Sequence, residues 1–139
     1  MTEIGLVSCV KTKRDEPAQP KDLYTSHYFE KMRAYVEPYH DEWYILSAKH
    51  GLLDPDGETI EPYEETLRNY SKAQKREWAS RVAGQMRERG LLETKTTLVI
   101  HAGKDYYVEL LPYLEDMTVE IPTEGLGIGE KQAWYKGRL

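Results

Sequence analysis

The segment IGLVSCVKTK, residues 4–13, decides the fold expected for this chain. Its first half is an almost continuous apolar run, which is typical of a strand covered on both faces in a parallel sheet. The run ends abruptly in Ser8 and Cys9, with Lys11 and Lys13 just beyond. Open α/β sheets bind their ligands outside the carboxyl ends of the strands, so we expect these four side chains to contact a substrate.

Three further apolar segments are predicted strands, at residues 42–49, 96–101 and 117–121. Amphipathic helices are predicted between the strands, beginning after the capping residues Ser26 and Ser71. This alternation is typical of an α/β fold, here a small three-layer sandwich with a four-stranded, mostly parallel sheet. We expect the strand order 2-1-3-4, which puts the first strand in the middle of the sheet and the switch point beside its carboxyl end.

Length and composition limit the class of protein. A chain of 139 residues suits one α/β domain over residues 1–139, with a core large enough to fold without disulfides. The net charge of −5 argues against a protein that coats nucleic acid by bulk electrostatics, although a local basic cleft is compatible with it. One cysteine, no signal peptide and no apolar stretch long enough to span a bilayer predict a cytoplasmic protein without a membrane partner.

The loops at the strand ends carry the other candidate binding residues. Residues 52–63 contain Asp-Pro and Asp-Gly turn signals and are predicted to form a long ordered loop past the second strand, a kind of loop that is often functional. Tyrosine rings in such loops can stack on a nucleobase. Beyond the first strand, the residues expected to bind substrate are Tyr24, Ser26, Ser47, Lys49, Gly51, Tyr63, His101, Lys104, Gly125 and Gly127.

Two histidines follow predicted strands and can supply acid–base chemistry near neutral pH. His50 and His101 are these two, and Asp22, Glu61 or Glu124 can provide the accompanying carboxylate. We predict Asp22, His50 and Glu124 as the catalytic set. His27 and His40 are expected at the surface, since they lie in a helix and a turn. No metal-ligand spacing, dinucleotide fingerprint or P-loop occurs, so no metal or cofactor is predicted.

Two of the observed patterns admit competing interpretations. Cys9 beside two lysines could be an activated nucleophile, but cysteine is often a small buried residue, and anion or base binding by Ser8 and the lysines is favoured. The predicted helix over residues 72–89 has a basic face. A solvated helix face explains it better than a surface that follows a phosphate backbone.

The segments SCVKTK, DLYTSHYF, WYILSAKHGLLDPDGETIEPYEETL, HAGKDYY and IPTEGLGIG together resemble a small uncharacterised domain family of bacteria, archaea and phages. More distantly, Lys11-Thr12, the Leu46-Ser47 segment and Pro62-Tyr63 resemble motifs of the YaaA peroxide-stress family. Ser8, Lys11 and residues 24–26 also resemble motifs of the archaeosine synthase core domain.

These resemblances imply a function connected with nucleic acid. Proteins of the YaaA family bind DNA, and the archaeosine enzymes act on a modified base in RNA. The expected strand order is also that of the uracil-DNA glycosylase superfamily, which takes a base out of the stack into a strand-end pocket. The leading hypothesis is therefore an enzyme that binds a nucleobase or nucleotide, with a modified base as the expected substrate, and carries out N-glycosidic cleavage or a related base-processing reaction.

Two other functions are compatible with the sequence. The first is a non-catalytic nucleic-acid or nucleotide-binding module that works in a phage-defence, stress or base-modification system, with a protein partner or a second copy completing its pocket. The second is a small-molecule hydrolase that uses Cys9 as its nucleophile. Turnover that depends on His50 or Glu124 would distinguish the base-processing enzyme from the module.

Overall fold

The computed structural model describes residues 2–93 and 95–139. This part of the chain contains five strands, which are β1 (Thr2–Ser8), β2 (Glu42–Ser47), β3 (Gly51–Leu53), β4 (Thr96–His101) and β5 (Thr118–Glu120). They form one sheet in the order β3-β2-β1-β4-β5. The predicted α/β class is confirmed, and so is the predicted order of the four parallel strands.

The strand β1 lies in the middle of the sheet. It pairs in parallel with β2 and with β4, so that Val7 faces Ile45 on one side and His101 on the other. Strand β5 extends the sheet in parallel beyond β4. The chain moves from β1 to β2 on one side and later enters β4 on the other, so the strand order reverses between β1 and β4, as predicted.

The strand β3 is the element that the sequence prediction lacks. Residues 52–63 were expected to form one continuous loop, but the first two of them belong to β3, which pairs antiparallel with β2. The turn that joins the two strands ends at Gly51, whose φ of 77° lies in the left-handed region. Glycine adopts this conformation without steric cost, and so the chain reverses directly beside the predicted rim.

The helices cover both faces of the sheet. In the described residues they are α1 (Pro20–Leu23), α2 (His27–Tyr39), α3 (Lys72–Glu88), α4 (Lys104–Tyr107) and α5 (Ile128–Lys136). Helices α2 and α5 contact each other, and α2 also packs on β1 and β2. Helix α3 contacts β3 and α4. The helix α5 ends close to the carboxyl end of the chain.

Both predicted helix caps are present. The Ser26 hydroxyl accepts a hydrogen bond from the Phe29 N–H at 3.0 Å. Ser71 and Gln74 form a capping box, in which each side chain accepts a hydrogen bond from the other residue's backbone N–H. Such caps satisfy N–H groups that have no partner inside the helix and are each worth about 1 kcal/mol.

The apolar stripes of α2 and α3 fill the space against the sheet. The fully or almost fully buried members of these stripes are Phe29, Met32, Val36, Trp78, Val82 and Met86. Trp78 also donates its indole N–H to the carbonyl oxygen of Ser47 at 2.8 Å, which ties α3 to the end of β2. Burial of each large apolar side chain stabilises the fold by about 1.5–3 kcal/mol.

The basic residues of α3 have partners within the domain. Lys75 pairs with Asp105 at 2.7 Å, and Arg76 contacts Glu109 at 3.4 Å. Arg81 donates to the carbonyl of Lys49 at 3.0 Å. These contacts join α3 to neighbouring elements and favour a structural role for its basic face. No helix in the described part of the chain is long and apolar enough to cross a membrane.

Candidate functional site

A cleft of about 690 Å³ opens at the carboxyl ends of β1 and β4, where the strand order reverses. Its volume lies within the range of ligand pockets, roughly 300–1,000 Å³. Six of the predicted substrate-binding residues line it, namely Ser8, Cys9, Lys11, Lys13, Ser26 and Tyr63. The structure thus brings together the residues after β1, the start of α2 and the end of the long loop.

Ser8 and Cys9 contribute to the part of the cleft nearest the sheet. Ser8 is the last residue of β1, and the Cys9 N–H continues the parallel pairing by donating to the carbonyl of Leu46 at 2.9 Å. Both side chains are buried. The Cys9 Sγ lies 3.3 Å from the Tyr106 hydroxyl oxygen, within hydrogen-bonding distance for sulfur. The thiol is therefore held against an aromatic residue of α4.

Lys13 is fixed within its own loop. Its Nζ donates to the carbonyl oxygens of Val10 at 2.9 Å and Lys11 at 3.3 Å, and it lies 4.4 Å from the centre of the Tyr63 ring. Burial lowers the pKa of Lys13, and the charge on nearby groups, including Glu64, opposes that change. The Lys13 ammonium stabilises the loop. A ligand that accepted a hydrogen bond from it would compete with the carbonyl oxygens of Val10 and Lys11.

The hydroxyl groups of Tyr24, Ser47 and Tyr63 form a buried hydrogen-bonded network. The Tyr63 hydroxyl lies 2.5 Å from that of Tyr24 and 2.7 Å from that of Ser47, which in turn accepts the His50 N–H at 3.1 Å. Burial raises the pKa of both tyrosines, so both stay neutral. Tyr24 and Ser47 were predicted to contact substrate, but they do not line the cleft, and what they contact is Tyr63.

His50 lies beside the cleft without lining it. Its ring makes an edge-to-face contact with the Tyr63 ring, with centres 5.4 Å apart. Partial burial and the positive charges of Lys49 and Arg81 lower its pKa. Lys49 itself is exposed. His50 can therefore affect a ligand through the position of the Tyr63 ring.

Gly51 was predicted to bind substrate, but the structure gives a different reason for a glycine at this position. A Cβ atom there would lie 2.2 Å from the Gln85 Oε1 atom. That oxygen accepts the Leu52 N–H at 2.8 Å, and the Gln85 amide donates to the carbonyl of His50 at 3.1 Å. Glycine is thus needed at this position because Gln85 of α3 occupies the space of a Cβ atom and is hydrogen-bonded to the backbone beside it.

The side chain of His101 lies inside the fold and does not reach the rim, contrary to the prediction. Its Nε2 lies 3.0 Å from His40 Nε2, its Nδ1 lies 2.6 Å from the Tyr135 hydroxyl, and His40 Nδ1 lies 2.5 Å from Glu3 Oε1. Burial and the neighbouring His40 lower the pKa of His101 to about 3. His40, expected at the surface, is also buried, because its ring packs on Gly5, where a Cβ would come within 2.6 Å of His40 Cδ2.

Glu3, His40, His101 and Tyr135 form a series of hydrogen bonds in the interior. Its donors and acceptors can be assigned by starting from Glu3. The Glu3 carboxylate accepts a hydrogen bond from His40 Nδ1, and in the tautomer with its proton on Nδ1 the His40 ring accepts at Nε2. His101 then donates from Nε2 and accepts from the Tyr135 hydroxyl at Nδ1. Every ring nitrogen has a partner in this arrangement, which identifies the chain of four residues as a structural network.

The other predicted catalytic carboxylates lie outside the cleft. Asp22 pairs with Arg33 at 3.0 Å, which joins α1 to α2. Glu124 lines a second cavity of about 300 Å³ together with the predicted residues Lys104, Gly125 and Gly127. This smaller cavity shares Gly103 and Lys131 with the cleft. The predicted residues that line a cavity are therefore divided between two adjoining cavities, and the others lie outside both.

Comparison with known proteins gives a family for this architecture. Residues 4–137 match a family of unknown function, DUF6884. The chain belongs to the DUF6884 family. It is also 33% identical over 73 residues to an uncharacterised protein of Bacillus subtilis strain 168, YfjM, in a match that covers 48% of this chain and 49% of that protein. The chain thus spans about half the length of this curated relative. No solved structure matches it.

Several residues that line the cleft in this DUF6884 domain were not predicted from the sequence. They come from α2, α5 and the loop after Tyr63, and they include Tyr28, Glu64, Glu65, Arg68, Ile128 and Lys131. Tyr106 of α4, which also lines the cleft, could be predicted as a stacking residue from its place after a strand. Lys131 and Tyr28 could not, because the contact between α2 and α5 depends on the tertiary fold.

Tyr28 also carries an unsatisfied polar group. Its hydroxyl is shielded from solvent and has no hydrogen-bond partner among the described residues. Burial raises the pKa of Tyr28 to about 12. A buried hydroxyl without a partner costs about 1–3 kcal/mol of stability. Among all the residues that the structure describes, no group of three or more His, Cys, Asp or Glu side chains is placed to hold a metal ion.

Proposed function

We propose that the cleft of this DUF6884 domain binds a nucleobase or nucleotide, with a modified base as the preferred ligand. The reaction proposed for it is N-glycosidic cleavage or a related base-processing step. The observation that carries this proposal is the composition of the cleft, in which tyrosine rings, cationic side chains and small hydrogen-bonding groups line one cavity at the strand ends.

Each of these groups suits a different part of a nucleotide. The rings of Tyr63 and Tyr106 offer aromatic surface for a flat base, for which stacking is worth about 1–3 kcal/mol per base. Ser8 at the end of β1 supplies a hydroxyl for a polar edge of the base. Lys11 and Arg68 are exposed at the mouth of the cleft, where they can attract a phosphate.

The likeness of two motifs to known families also supports the proposal. Ser8, Lys11 and residues 24–26 resemble motifs of the archaeosine synthase core domain, whose substrate is a base in RNA. Lys11, Ser26 and Tyr63, which belong to these motifs or to those shared with the YaaA family, all line the cleft. These three residues, which come from motifs that resemble those of the two families, therefore lie together in the cleft.

The acid–base role in this reaction falls to carboxylates of the cleft. Glu64 and Glu65 line it and act on the pKa of Lys13, whereas Asp22 is paired with Arg33. A carboxylate beside a developing oxocarbenium charge can stabilise it or orient a water molecule. We therefore assign the acid–base step to Glu64 or Glu65 in place of the residues expected from the sequence.

A second candidate function is favoured by the placement of the predicted catalytic residues. Asp22, His50 and Glu124 do not meet in one cavity, which is the arrangement expected for a module that binds a nucleotide without transforming it. The module and the enzyme share the cleft and its ligand. They differ only in turnover.

A thermal-shift screen tests the binding proposal. The probes are nucleosides, nucleotides and short oligonucleotides with normal and modified bases, measured with the unmodified protein and with Lys11→Ala. A ligand that binds only the folded state raises the unfolding midpoint. We expect a base-dependent increase that Lys11→Ala reduces and that the exposed-site control Lys136→Ala leaves unchanged. A complete absence of shifts would contradict the proposal.

An assay for release of the free base then separates the two functions. Substrates are the ligands found in the screen, and the variants are Glu64→Gln, Glu65→Gln and Cys9→Ser. Loss of turnover in a glutamate variant that still binds identifies the enzyme. Binding without turnover identifies the module, and loss of turnover only in Cys9→Ser would transfer the chemical step to the thiol.

A further inference from the structure

Among the described residues, Lys131 is a partly buried lysine of the cleft whose ammonium group has no hydrogen-bond or ion-pair partner, whereas Lys11 at the mouth is exposed. Lys13 donates to two backbone carbonyls, and Lys75 pairs with Asp105. Among the residues that the structure describes, no carboxylate or carbonyl oxygen lies within bonding distance of Lys131, although its side chain is partly buried. Burial lowers the pKa of Lys131 with no opposing charge.

The position of Lys131 is set by the end of β4. The lysine extends from α5 towards Gly103, and its Nζ would lie 3.7 Å from a Cβ atom placed on that glycine. This distance is an ordinary van der Waals contact, so the ammonium group lies next to the backbone that follows β4. Lys131 therefore lines both the cleft and the smaller cavity of about 300 Å³.

The smaller cavity is lined by groups that can bind an anion. Lys104 and the backbone around Gly125 and Gly127 line it together with Lys131. Its one carboxylate, Glu124, is exposed and lies near Tyr107, whose pKa is raised by burial and by this carboxylate. A partly buried ammonium without a counter-charge is stabilised when an anion binds to it.

We propose that Lys131 binds the phosphate group of a ligand whose base lies in the cleft. This inference rests on the proposed function, and it makes the preferred substrate class a nucleotide, with the free nucleoside as a weaker ligand of the same cleft. Because Lys131 belongs to both cavities, the base and the phosphate of one ligand can occupy the two together. The phosphate is a monoester in a free nucleotide or a diester in a nucleic-acid strand.

Calorimetric titration of the purified protein tests this assignment. The probes are nucleosides, their 5′-monophosphates, inorganic phosphate and dinucleotides that contain only a phosphodiester. We expect a phosphate-bearing ligand to bind at least about tenfold more tightly than its nucleoside, a preference that weakens as salt rises. A monophosphate preference indicates a free nucleotide as the ligand, and a dinucleotide preference indicates a strand.

Three variants locate the phosphate contact. Lys131→Ala and Lys131→Gln should remove most of the preference for the phosphate-bearing ligand and leave nucleoside affinity unchanged. Lys11 and Arg68, at the mouth of the cleft, supply the remainder of that preference. Lys136→Ala, one turn further along α5 and exposed, should change neither the preference nor the nucleoside affinity. Because nucleoside binding reports on the folded cleft, a folding defect would be recognised by its loss.

Two outcomes would overturn the inference, and they are distinguishable. If nucleosides and nucleotides bind equally, or if the phosphate preference persists undiminished in both Lys131 variants, the phosphate contact is elsewhere and only this inference is wrong. If neither class of ligand binds the unmodified protein, the proposed function is wrong as well, and the inference is withdrawn with it.

Discussion

Two histidines that follow strands in the same way have opposite surroundings. His50 is partly exposed beside Tyr63, whereas His101 is completely buried between His40 and Tyr135. The difference comes from the strands. His101 is the last paired residue of β4, and so its side chain follows the alternation of the sheet onto a helix-covered face. His50 lies three residues beyond the end of β2, in a turn that the sheet does not constrain.

For these two histidines, the side chain inside the ladder of strand pairs belongs to the buried network, and the side chain beyond the ladder lies at the rim. This predicts that substitutions in the interior network reduce stability and that substitutions at the rim reduce mainly ligand binding. Three measurements test the difference.

The largest effect is expected from His101→Ala. The change leaves His40 Nε2 and the Tyr135 hydroxyl without partners and opens a cavity in the interior. We expect a loss of about 3–5 kcal/mol in the free energy of unfolding, as found for buried groups of this size. The matched change His50→Ala should cost less than about 1 kcal/mol, because its ring is partly exposed. Urea unfolding followed by circular dichroism measures both, and equal losses would contradict the comparison.

The second effect is a dependence of stability on pH that originates in His101. Its pKa is about 3 in the folded protein, below the ordinary value of 6.5, so the unfolded chain binds more protons between these values. The stability that the neutral ring contributes is therefore fully present above pH 6.5 and is lost as pH falls. We expect a decrease of up to about 1.4 kcal/mol for each pH unit below 6.5.

Unfolding in urea at pH 7, 6 and 5 measures this slope. The control is His101→Asn, which cannot titrate in this range and should show a smaller decrease between pH 7 and 5. His40 and Glu3 are present in both proteins, so the comparison isolates His101. The same slope in the variant and the unmodified protein would assign the pH dependence to groups other than His101.

The smallest effect is expected from Tyr63→Phe, at the boundary between core and rim. The change removes the hydroxyl that joins Tyr24 and Ser47 but keeps the ring that lines the cleft. We expect a loss of about 1–2 kcal/mol in stability, because two buried hydroxyls lose a partner. Stacking of a base should persist. Loss of ligand binding in a stable variant would show that the hydroxyl, rather than the ring, contacts the ligand.

Much of the fold could be predicted from local sequence patterns. The bounds of β4 and the start of α3 agree with the prediction, because the apolar run and the capping box are both local signals. The short strand β3 was missed, since three residues give too little alternation to separate a strand from a loop. The pairing of β3 depends instead on the turn at Gly51 and its contact with Gln85.

The candidate site could be predicted only along one segment. Residues 8–13 were expected at the strand end because they follow an uninterrupted apolar run, and four of them were named correctly as lining residues. The opposite wall could not be predicted. It comes from Tyr28 and Lys131, which meet the first segment only after α2 and α5 pack on the same face of the sheet.

The outermost strands of the sheet have a consequence for association between molecules. β3 and β5 contain three residues each, and they form the two edges of the described sheet. An edge of this length presents few unpaired backbone groups, which limits strand-by-strand addition of another chain and the aggregation that follows from it. A partner of this domain, or a second copy, would therefore bind through side-chain surfaces and leave the five-stranded sheet unextended.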